Sequence, residues 1–173
     1  MQKVDIIIPV FQKVELLQKC VGKLESSTMV DYRLTLIDDG SPNKAVQEYI
    51  KQLPVSVNKL RNFQNLGFPE TVNKAVKNTY NDRIVVLNQD TEAMPGWLDV
   101  MMEVMDQESK IGIVGPLLLF HPQTKNGIGS HVQHAGLVFN YRKMPWHRFL
   151  NWPADHPRVQ KYTDELQAVT GAC

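Results

Sequence analysis

Short apolar runs along the chain predict five β-strands. Several runs are continuous, as in Ile6–Ile8 and Ile84–Leu87, and do not alternate with polar residues. A continuous run is typical of a strand buried on both faces, which favours a parallel sheet covered by helices on both sides. The predicted strands are Val4–Val10, Arg33–Ile37, Val55–Leu60, Arg83–Leu87 and Ile111–Phe120.

Stretches of helical period separate these strands. In each stretch apolar residues recur every three or four positions and so form one face of a helix. Pro69 and Pro95 occupy positions that suit the first residue of a helix, where no N–H donor is needed. Strand and helix therefore alternate four times before residue 120, which predicts an α/β fold with a mostly parallel central sheet. The four apolar stripes start at Val14, Val46, Val72 and Trp97.

The pattern changes after Phe120. The segment 121–157 is rich in Gly, Pro, His, Asn and aromatic residues, and only Val132–Asn140 has the pattern of a strand. A further strand that enters a turn is predicted at Gln167–Cys173. We therefore expect an α/β core over residues 1–120 and a loop-rich region with a hairpin over 121–173, both within one domain.

Composition excludes several classes of protein. The chain has 173 residues with 19 basic and 18 acidic side chains, and this balance gives no general attraction to nucleic acid. Two cysteines, Cys20 and Cys173, are too few for a disulfide framework and fit a reducing compartment. No apolar run approaches the roughly 20 residues that cross a bilayer, and the N-terminus has no signal-peptide character. We expect a soluble, cytoplasmic domain.

Acidic and amide side chains follow two of the predicted strands. Ligands of open parallel sheets bind at the carboxyl ends of the strands. Asp38 and Asp39 follow the second strand, and because they are adjacent, one can hold the turn while the other faces the crevice. A simple capped turn explains this pair equally well. Asn88, Gln89 and Asp90 follow the fourth strand, where oxygen ligands suit Mg²⁺ or Mn²⁺ with phosphates completing the coordination. A capped turn before the helix that starts near Pro95 is the alternative for this segment.

Other site patterns are absent or weak. No Gly-x-Gly-x-x-Gly follows the first strand and no Gly-Lys-Ser/Thr loop exists, which argues against dinucleotide oxidoreductases and excludes P-loop NTPases. A receiver-like signalling domain would place its acidic pair after the first strand instead of the second. His131 and His134 have the spacing of a helical zinc site, but Gly127 and Gly129 precede them and a strand-like run follows.

Short motifs follow one another in a recognisable order along the chain. Together they resemble family 2 glycosyltransferases with the GT-A fold, a Rossmann-type α/β/α sandwich, and are most similar to the rhamnosyltransferase-like branch. The motifs are the opening strand Val4–Phe11, the acidic turn Ile37–Ser41, Asn65–Phe68 with Asn73, the Asp-x-Asp-like Leu87–Glu92 with Pro95–Leu98, and the later segments Gly112–Pro116, His134–Gly136 and Val169–Cys173.

The resemblance implies roles for individual residues. Asp38 or Asp39 would hydrogen-bond the uracil or thymine base or the ribose, and Asp90 would bind the metal ion that bridges the diphosphate. Asn88 stands where the family has the first acid of Asp-x-Asp, so the site has one charge fewer. Residues of the nucleotide-sugar site would be Pro9, Val10, Phe11, Asp38, Asp39, Asn65, Gly67, Asn73, Asn88 and Gln89; those of the acceptor side would be His134, Thr170 and Gly171.

The resemblance also implies a reaction. It is the inverting, Mg²⁺- or Mn²⁺-assisted transfer of a sugar from a UDP- or dTDP-sugar to a glycan or lipid-linked acceptor in polysaccharide biosynthesis. Residues 1–120 would bind the donor, and 121–173 would begin the acceptor region. The family's catalytic base lies downstream of Thr170–Ala172, so we expect a fragment that lacks the base. Dimerisation and peripheral association with the inner membrane face are further expectations. The alternative is a non-catalytic nucleotide-binding or nucleotide-sugar-binding module.

Overall fold

The computed structural model describes residues 4–122, 131–161 and 165–171. The chain divides into two compact units, one of residues 1–100 with 171–173 and the other of residues 101–170. The elements of the first unit are β1 (Val4–Val10), α1 (Val14–Ser27), β2 (Tyr32–Asp38), α2 (Lys44–Gln52), β3 (Asn58–Arg61), α3 (Phe68–Val76) and β4 (Arg83–Val86), and α4 (Trp97–Gln107) begins in it.

The central sheet is parallel and has the strand order β3-β2-β1-β4. Ile7 of β1 packs with Ile37 of β2 and Ala75 of α3 on one face of the sheet. Ile6 and Ile8 point to the other face, because side chains alternate along a strand, and both are fully buried. β1 is thus buried on both faces, and the α/β fold with a mostly parallel sheet is confirmed.

Strand order reverses beside β1. The chain proceeds from β1 through β2 to β3 on one side and then returns to place β4 on the other side of β1. Such a reversal opens a crevice at the carboxyl ends of the strands, where α/β proteins bind ligands. The carboxyl ends of β1 and β4 flank this crevice.

The starts of β3 and α4 differ from their predicted positions, whereas the start of α3 agrees. β3 begins at Asn58 and not at Val55, because the Val57 N–H donates to the carbonyl of Pro54 and closes a turn there. Pro69 lies in the first turn of α3 as predicted. Pro95 does not begin α4; Gly96 follows it with a left-handed φ of 75°, which a helix does not accommodate, so the helix starts at Trp97.

The second unit has short strands. The predicted strand Ile111–Phe120 is wrong over most of its length, since only Leu118–Leu119 (β5) is extended and paired, and its partner is antiparallel. Pro116 has no N–H for a ladder and Gly115 weakens a strand, which explains the interruption. The remaining elements are β6 (Val132–His134), β7 (Leu137–Phe139), β8 (Pro145–His147) and a single helical turn, α5 (Pro157–Gln160).

The predicted strand Val132–Asn140 is two strands. Gly136 separates β6 from β7 with a φ of 95°, a conformation that turns the chain. β7 then pairs with β8 as an antiparallel hairpin, so the expected hairpin is present. The predicted strand Gln167–Cys173 is wrong within residues 167–171, where only Ala168 forms a bridge, to Leu137; residues 172 and 173 lie outside the described part. None of the described helices is long and apolar enough to cross a bilayer.

We predict that Gly40→Ala strongly destabilises the protein. Gly40 has a φ of 69°, and a Cβ there would lie 2.5 Å from the carbonyl carbon of Gln64 and 2.7 Å from the amide nitrogen of Asn65. Strain and overpacking together should lower the free energy of unfolding by about 2 to 4 kcal/mol, measured by urea denaturation.

Gly22→Ala is the matched control. Within the described residues no atom lies within 4 Å of a Cβ at this exposed position of α1. Alanine favours a helix interior over glycine by about 1 kcal/mol, so this variant should be slightly more stable than the wild type. Equal stability of the two variants would refute the close approach at Gly40.

Candidate functional site

A cleft of about 320 Å³ lies at the carboxyl edge of the sheet in the first unit. The segments that follow β1, β2 and β4 form its walls together with the start of α3. The cleft therefore occupies the place where the strand order reverses. Its lining residues are Pro9, Val10, Phe11, Asp39, Asn65, Gly67, Phe68, Thr71, Asn88, Gln89 and Asp90.

Most of the residues predicted for the nucleotide-sugar site line this one cleft. Two of them, Asp38 and Asn73, do not: Asp38 is turned into the protein, and Asn73 is exposed on α3. Two lining residues, Phe68 and Thr71, are absent from the prediction. Pro69 in the first helical turn is the signal that could have located them, because it places both at the start of α3 beside the predicted loop.

Asp38 holds the turn after β2. One carboxylate oxygen accepts a 2.8 Å hydrogen bond from the Ser41 N–H, and the other forms an ion pair with Arg61. Arg61 also donates to the Ser41 carbonyl at 3.1 Å. Asp38 is thus the member of the acidic pair that stabilises the turn, and its predicted contact with the nucleotide stays a prediction.

Asp39 holds the loop before α3. Its Oδ1 accepts hydrogen bonds from the Leu66 N–H and from Asn62 Nδ2, both at 2.8 Å, and its Oδ2 accepts one from the Gly67 N–H at 3.0 Å. Burial alone would raise the pKa of Asp39, but these bonds and one involving Thr71 outweigh it, and the pKa lies below its ordinary value of 3.8. Asp39 is therefore ionised at neutral pH and fixes one wall of the cleft.

Gln89 holds the loop after β1. Its Oε1 accepts a 2.7 Å hydrogen bond from the Phe11 N–H, and its Nε2 donates to the Gln12 carbonyl at 3.2 Å. Gln12 and Lys13 have φ values of 58° and 48°. This left-handed backbone conformation costs on the order of 1–3 kcal/mol for each non-glycine residue that adopts it. Ser41 Oγ accepts from the Gln12 N–H at 3.0 Å and adds a second tie. The side chain of Gln89 thus positions Phe11 at the edge of the cleft.

Asp90 presents a carboxylate to the cleft. It is exposed and, within the described part of the chain, forms no hydrogen bond or ion pair. Behind it, the Cys20 thiol donates to the Asn88 carbonyl at 3.5 Å. Burial, and then the charge of Asp90, raises the pKa of Cys20 to about 12, so the thiol stays protonated and has a structural role.

The donor set of the cleft suits a hard divalent ion that a ligand helps to bind. The described residues contain no group of three or more His, Cys, Asp or Glu side chains that could hold an ion alone. Mg²⁺ commonly binds through one or two carboxylates and the phosphates of a substrate, and retains several waters. Asp90, with Asn88 lining the same cleft, fits that arrangement, in which the bound molecule completes the coordination.

His134 and Thr170, both predicted for the acceptor side, meet in the second unit. The Thr170 N–H donates to His134 Nε2 at 3.1 Å, and His134 Nδ1 lies 2.9 Å from Nδ1 of His147. Burial, followed by His147, lowers the pKa of His134 below its ordinary value of 6.5. His134 is therefore neutral at pH 7. Gly171 groups with the first unit. The acceptor roles of these residues stay predictions.

A protein-family model places this chain among known proteins. The model of glycosyl transferase family 2 matches residues 5–158. The chain belongs to this family.

Three relatives illustrate its place in the family. O-antigen biosynthesis protein RfbC of Myxococcus xanthus is 28% identical over 181 residues, which is 99% of this chain and 13% of that protein. Uncharacterized protein y4gI of Sinorhizobium fredii is 28% identical over 98% of this chain and 19% of its own length. An uncharacterized glycosyltransferase of Haemophilus influenzae is 25% identical over 68% of this chain and 38% of its own length. The chain spans 13 to 38% of these relatives.

Solved structures with the same fold come from S. aureus TarS. Residues 1–349 of that protein, crystallised in complex with UDP-GlcNAc, match with a TM-score of 0.54 and 16% identity over 61% of this chain and 32% of theirs. A further TarS structure matches with a TM-score of 0.51 and 17% identity over 61% of this chain and 20% of that one. These likenesses support the fold that the sequence resemblance implied.

We predict that Asp39→Asn destabilises the protein at pH 7. An asparagine amide has one acceptor oxygen in place of two, so at least one N–H that bonds the carboxylate would face an NH₂ group, at a cost of about 1–3 kcal/mol. Because the folded-state pKa of Asp39 is depressed, its contribution is present above the unfolded value and is lost as the pH falls through the folded pKa. The difference between variant and wild type should therefore shrink below pH 3.8.

Denaturant unfolding at pH 7 and at several acidic pH values measures this effect. Asp31→Asn, at an exposed position of the same unit, is the control and should leave stability unchanged at each pH. A loss for Asp39→Asn that is equally large at pH 7 and below the folded pKa would contradict the hydrogen-bonded carboxylate.

Proposed function

We propose that the cleft binds the nucleoside diphosphate part of a UDP- or dTDP-sugar, and that a longer protein containing this domain transfers the sugar to a glycan or lipid-linked acceptor. The observation that carries the proposal is the cleft itself, which combines aromatic rings, a fixed carboxylate and an open one where the strand order reverses. The UDP-GlcNAc complex of TarS supports the class of donor, and the name of RfbC supports a role in polysaccharide biosynthesis.

The base and ribose bind between the β1 loop and the start of α3. Phe11 and Phe68 each expose nearly half of their surface and line the cleft. Their rings offer apolar faces on which a pyrimidine can stack, and stacking on an aromatic ring holds any base because every base has a π-face. The negatively charged carboxylate of Asp39 accepts a hydrogen bond from the N–H of uracil or thymine. Asn65, at the loop that Asp39 holds, borders the ribose.

The diphosphate binds near Asp90. Two phosphates and a carboxylate would repel each other unless a cation lies between them, and Asp90 with the bound diphosphate fits Mg²⁺ or Mn²⁺. Such an ion supplies stabilisation of the negative charge that develops on the departing diphosphate. Asn88 is neutral, so this wall carries one negative charge fewer than it would with two aspartates.

Transfer is a single displacement with inversion. The acceptor hydroxyl oxygen forms a bond to the anomeric carbon while the bond from that carbon to the diphosphate oxygen breaks, and a base on the opposite face takes the hydroxyl proton. The role of this domain is to hold the donor with its diphosphate fixed so that the anomeric carbon faces the acceptor. No described carboxylate of the chain is assigned as the base.

We predict that Mn²⁺ strengthens binding of UDP or dTDP and that Asp90→Asn removes this effect. The substitution preserves size but removes the charge that the ion needs, so affinity with Mn²⁺ should fall at least about tenfold while metal-free affinity is retained or rises. Isothermal titration calorimetry with each nucleotide measures the affinity in the presence and in the absence of Mn²⁺. Asp31→Asn should behave as the wild type.

The same titration separates the outcomes. Binding of neither nucleotide in the presence of Mn²⁺ would overturn the proposal, and an undiminished Mn²⁺ effect in Asp90→Asn would remove Asp90 from the metal site. Sugar transfer is assayed on a longer protein that contains this domain. A protein that binds the donor but transfers sugar to no glycan or lipid-linked acceptor would indicate a binding module instead of an enzyme.

A further inference from the structure

The β7–β8 hairpin of the second unit exposes a concentration of apolar side chains. Phe139, Tyr141, Met144 and Trp146 have exposed fractions of 45, 88, 59 and 62%, and all lie within eight residues of one another. Single exposed apolar residues are ordinary on protein surfaces, but several such side chains gathered in one short hairpin suggest an interaction site. The hairpin is therefore a candidate contact surface outside the donor cleft.

The apolar side chains surround the end of the hairpin and do not cover one face only. Val138 pairs with Trp146, and Phe139 pairs with Pro145, in the antiparallel register. Opposing residues share a face and successive residues alternate, so the two pairs lie on opposite faces. Tyr141 and Met144 extend this group into the turn. A partner that contacts one face would leave half of these side chains in water, whereas insertion of the end of the hairpin would cover both faces.

The backbone of the turn is hydrogen-bonded within the hairpin. Asn140 Oδ1 accepts from the N–H groups of Arg142 and Met144 at 2.9 and 3.0 Å, and the Asn140 carbonyl accepts from the Lys143 N–H at 2.8 Å. The Asn140 N–H donates to the Met144 carbonyl at 3.0 Å. A segment that leaves water must satisfy its backbone polar groups internally. The four hydrogen bonds, all centred on one residue, satisfy the N–H groups of Asn140, Arg142, Lys143 and Met144 within the hairpin.

Basic residues accompany the hairpin. Residues 141–161 contain five Lys or Arg side chains against one acidic side chain, Asp155, although the whole chain is almost neutral with 19 against 18. Arg142 and Lys143 lie in the turn itself. Arg148, Arg158 and Lys161 line a depression of about 560 Å³ in the same unit. Charge complementarity therefore favours a negatively charged partner.

We propose that this hairpin docks the protein on an anionic lipid bilayer. Trp and Tyr rings locate at the headgroup level of membranes, and Lys and Arg near the surface are attracted to anionic lipids. A neutral glycan could stack on Trp146, but it would give no role to the basic residues or to the apolar side chains on the opposite face. The proposal does not depend on donor binding, since failure of either leaves the other intact.

Co-sedimentation with lipid vesicles tests the proposal. The wild type should bind vesicles of 30% phosphatidylglycerol and 70% phosphatidylcholine, bind pure phosphatidylcholine weakly, and lose affinity as salt is raised. Arg142→Glu with Lys143→Glu should weaken binding by at least about 25-fold, because each basic residue near an anionic surface contributes about fivefold and two of them are replaced. Tyr141→Ala with Trp146→Ala should also weaken it severalfold.

Control variants separate the hairpin from a general effect of charge or hydrophobicity. Lys19→Glu with Lys23→Glu makes the same charge change on the exposed side of α1, and Phe63→Ala removes a fully exposed aromatic ring from the first unit. Both should bind vesicles as the wild type does, and circular dichroism should show every variant folded. Absence of vesicle binding, or equal losses in hairpin and control variants, would overturn the proposal. So would Trp146-dependent fluorescence changes with soluble glycans but not with vesicles.

Discussion

The buried carboxylate of Asp39 is the constraint on which the cleft depends. It collects the N–H groups of Leu66 and Gly67 and the side-chain amide of Asn62, and so joins the end of β2 to the loop before α3. The two segments approach so closely at Gly40 that no Cβ fits between them. Because a buried carboxylate without these donors would be costly, the loop and the sheet edge adopt one arrangement together. The position of this wall of the cleft thus depends on the hydrogen bonds of the Asp39 carboxylate and on the absence of a Cβ at Gly40.

The three aspartates at this edge of the sheet have different roles. Asp38 stabilises a turn and Asp39 a loop, and each has its partners inside the protein. Asp90 alone of the three has an exposed carboxylate without a partner in the described residues. Gln89 holds the loop after β1 by hydrogen bonds to its backbone, as Asp39 holds the loop between β3 and α3. The neutral amide of Gln89 both accepts and donates these bonds. The cleft therefore has hydrogen-bonded walls and one open charge, a distribution that fits the metal-bound diphosphate that we propose.

Much of this arrangement could be predicted from the sequence. Continuous apolar runs located β1, β2 and β4 to within one residue, since strands buried on both faces tolerate few polar residues. Because parallel sheets bind ligands at their carboxyl ends, the pair Asp38–Asp39 and the segment Asn88–Asp90 were candidate site residues, and the family resemblance added expected roles. Periodicity could not decide which aspartate faces the cleft, because that depends on hydrogen-bond partners 23 to 28 residues away in sequence. The apolar pattern also predicted too long a strand at Ile111–Phe120. The residues there are largely apolar, but Pro116 has no N–H to donate to a neighbouring strand.

An NMR titration with UDP in the presence of Mg²⁺ tests the central claim most directly, namely that the cleft at the reversal of strand order binds the nucleotide. Amide ¹H–¹⁵N resonances report each backbone N–H separately, so the position of the ligand is read without reference to activity. If the cleft binds the nucleotide, the largest saturable changes occur at Phe11, Gly67 and Asp90. Saturable changes confined to residues 131–161, with the resonances of the cleft unmoved, would contradict it.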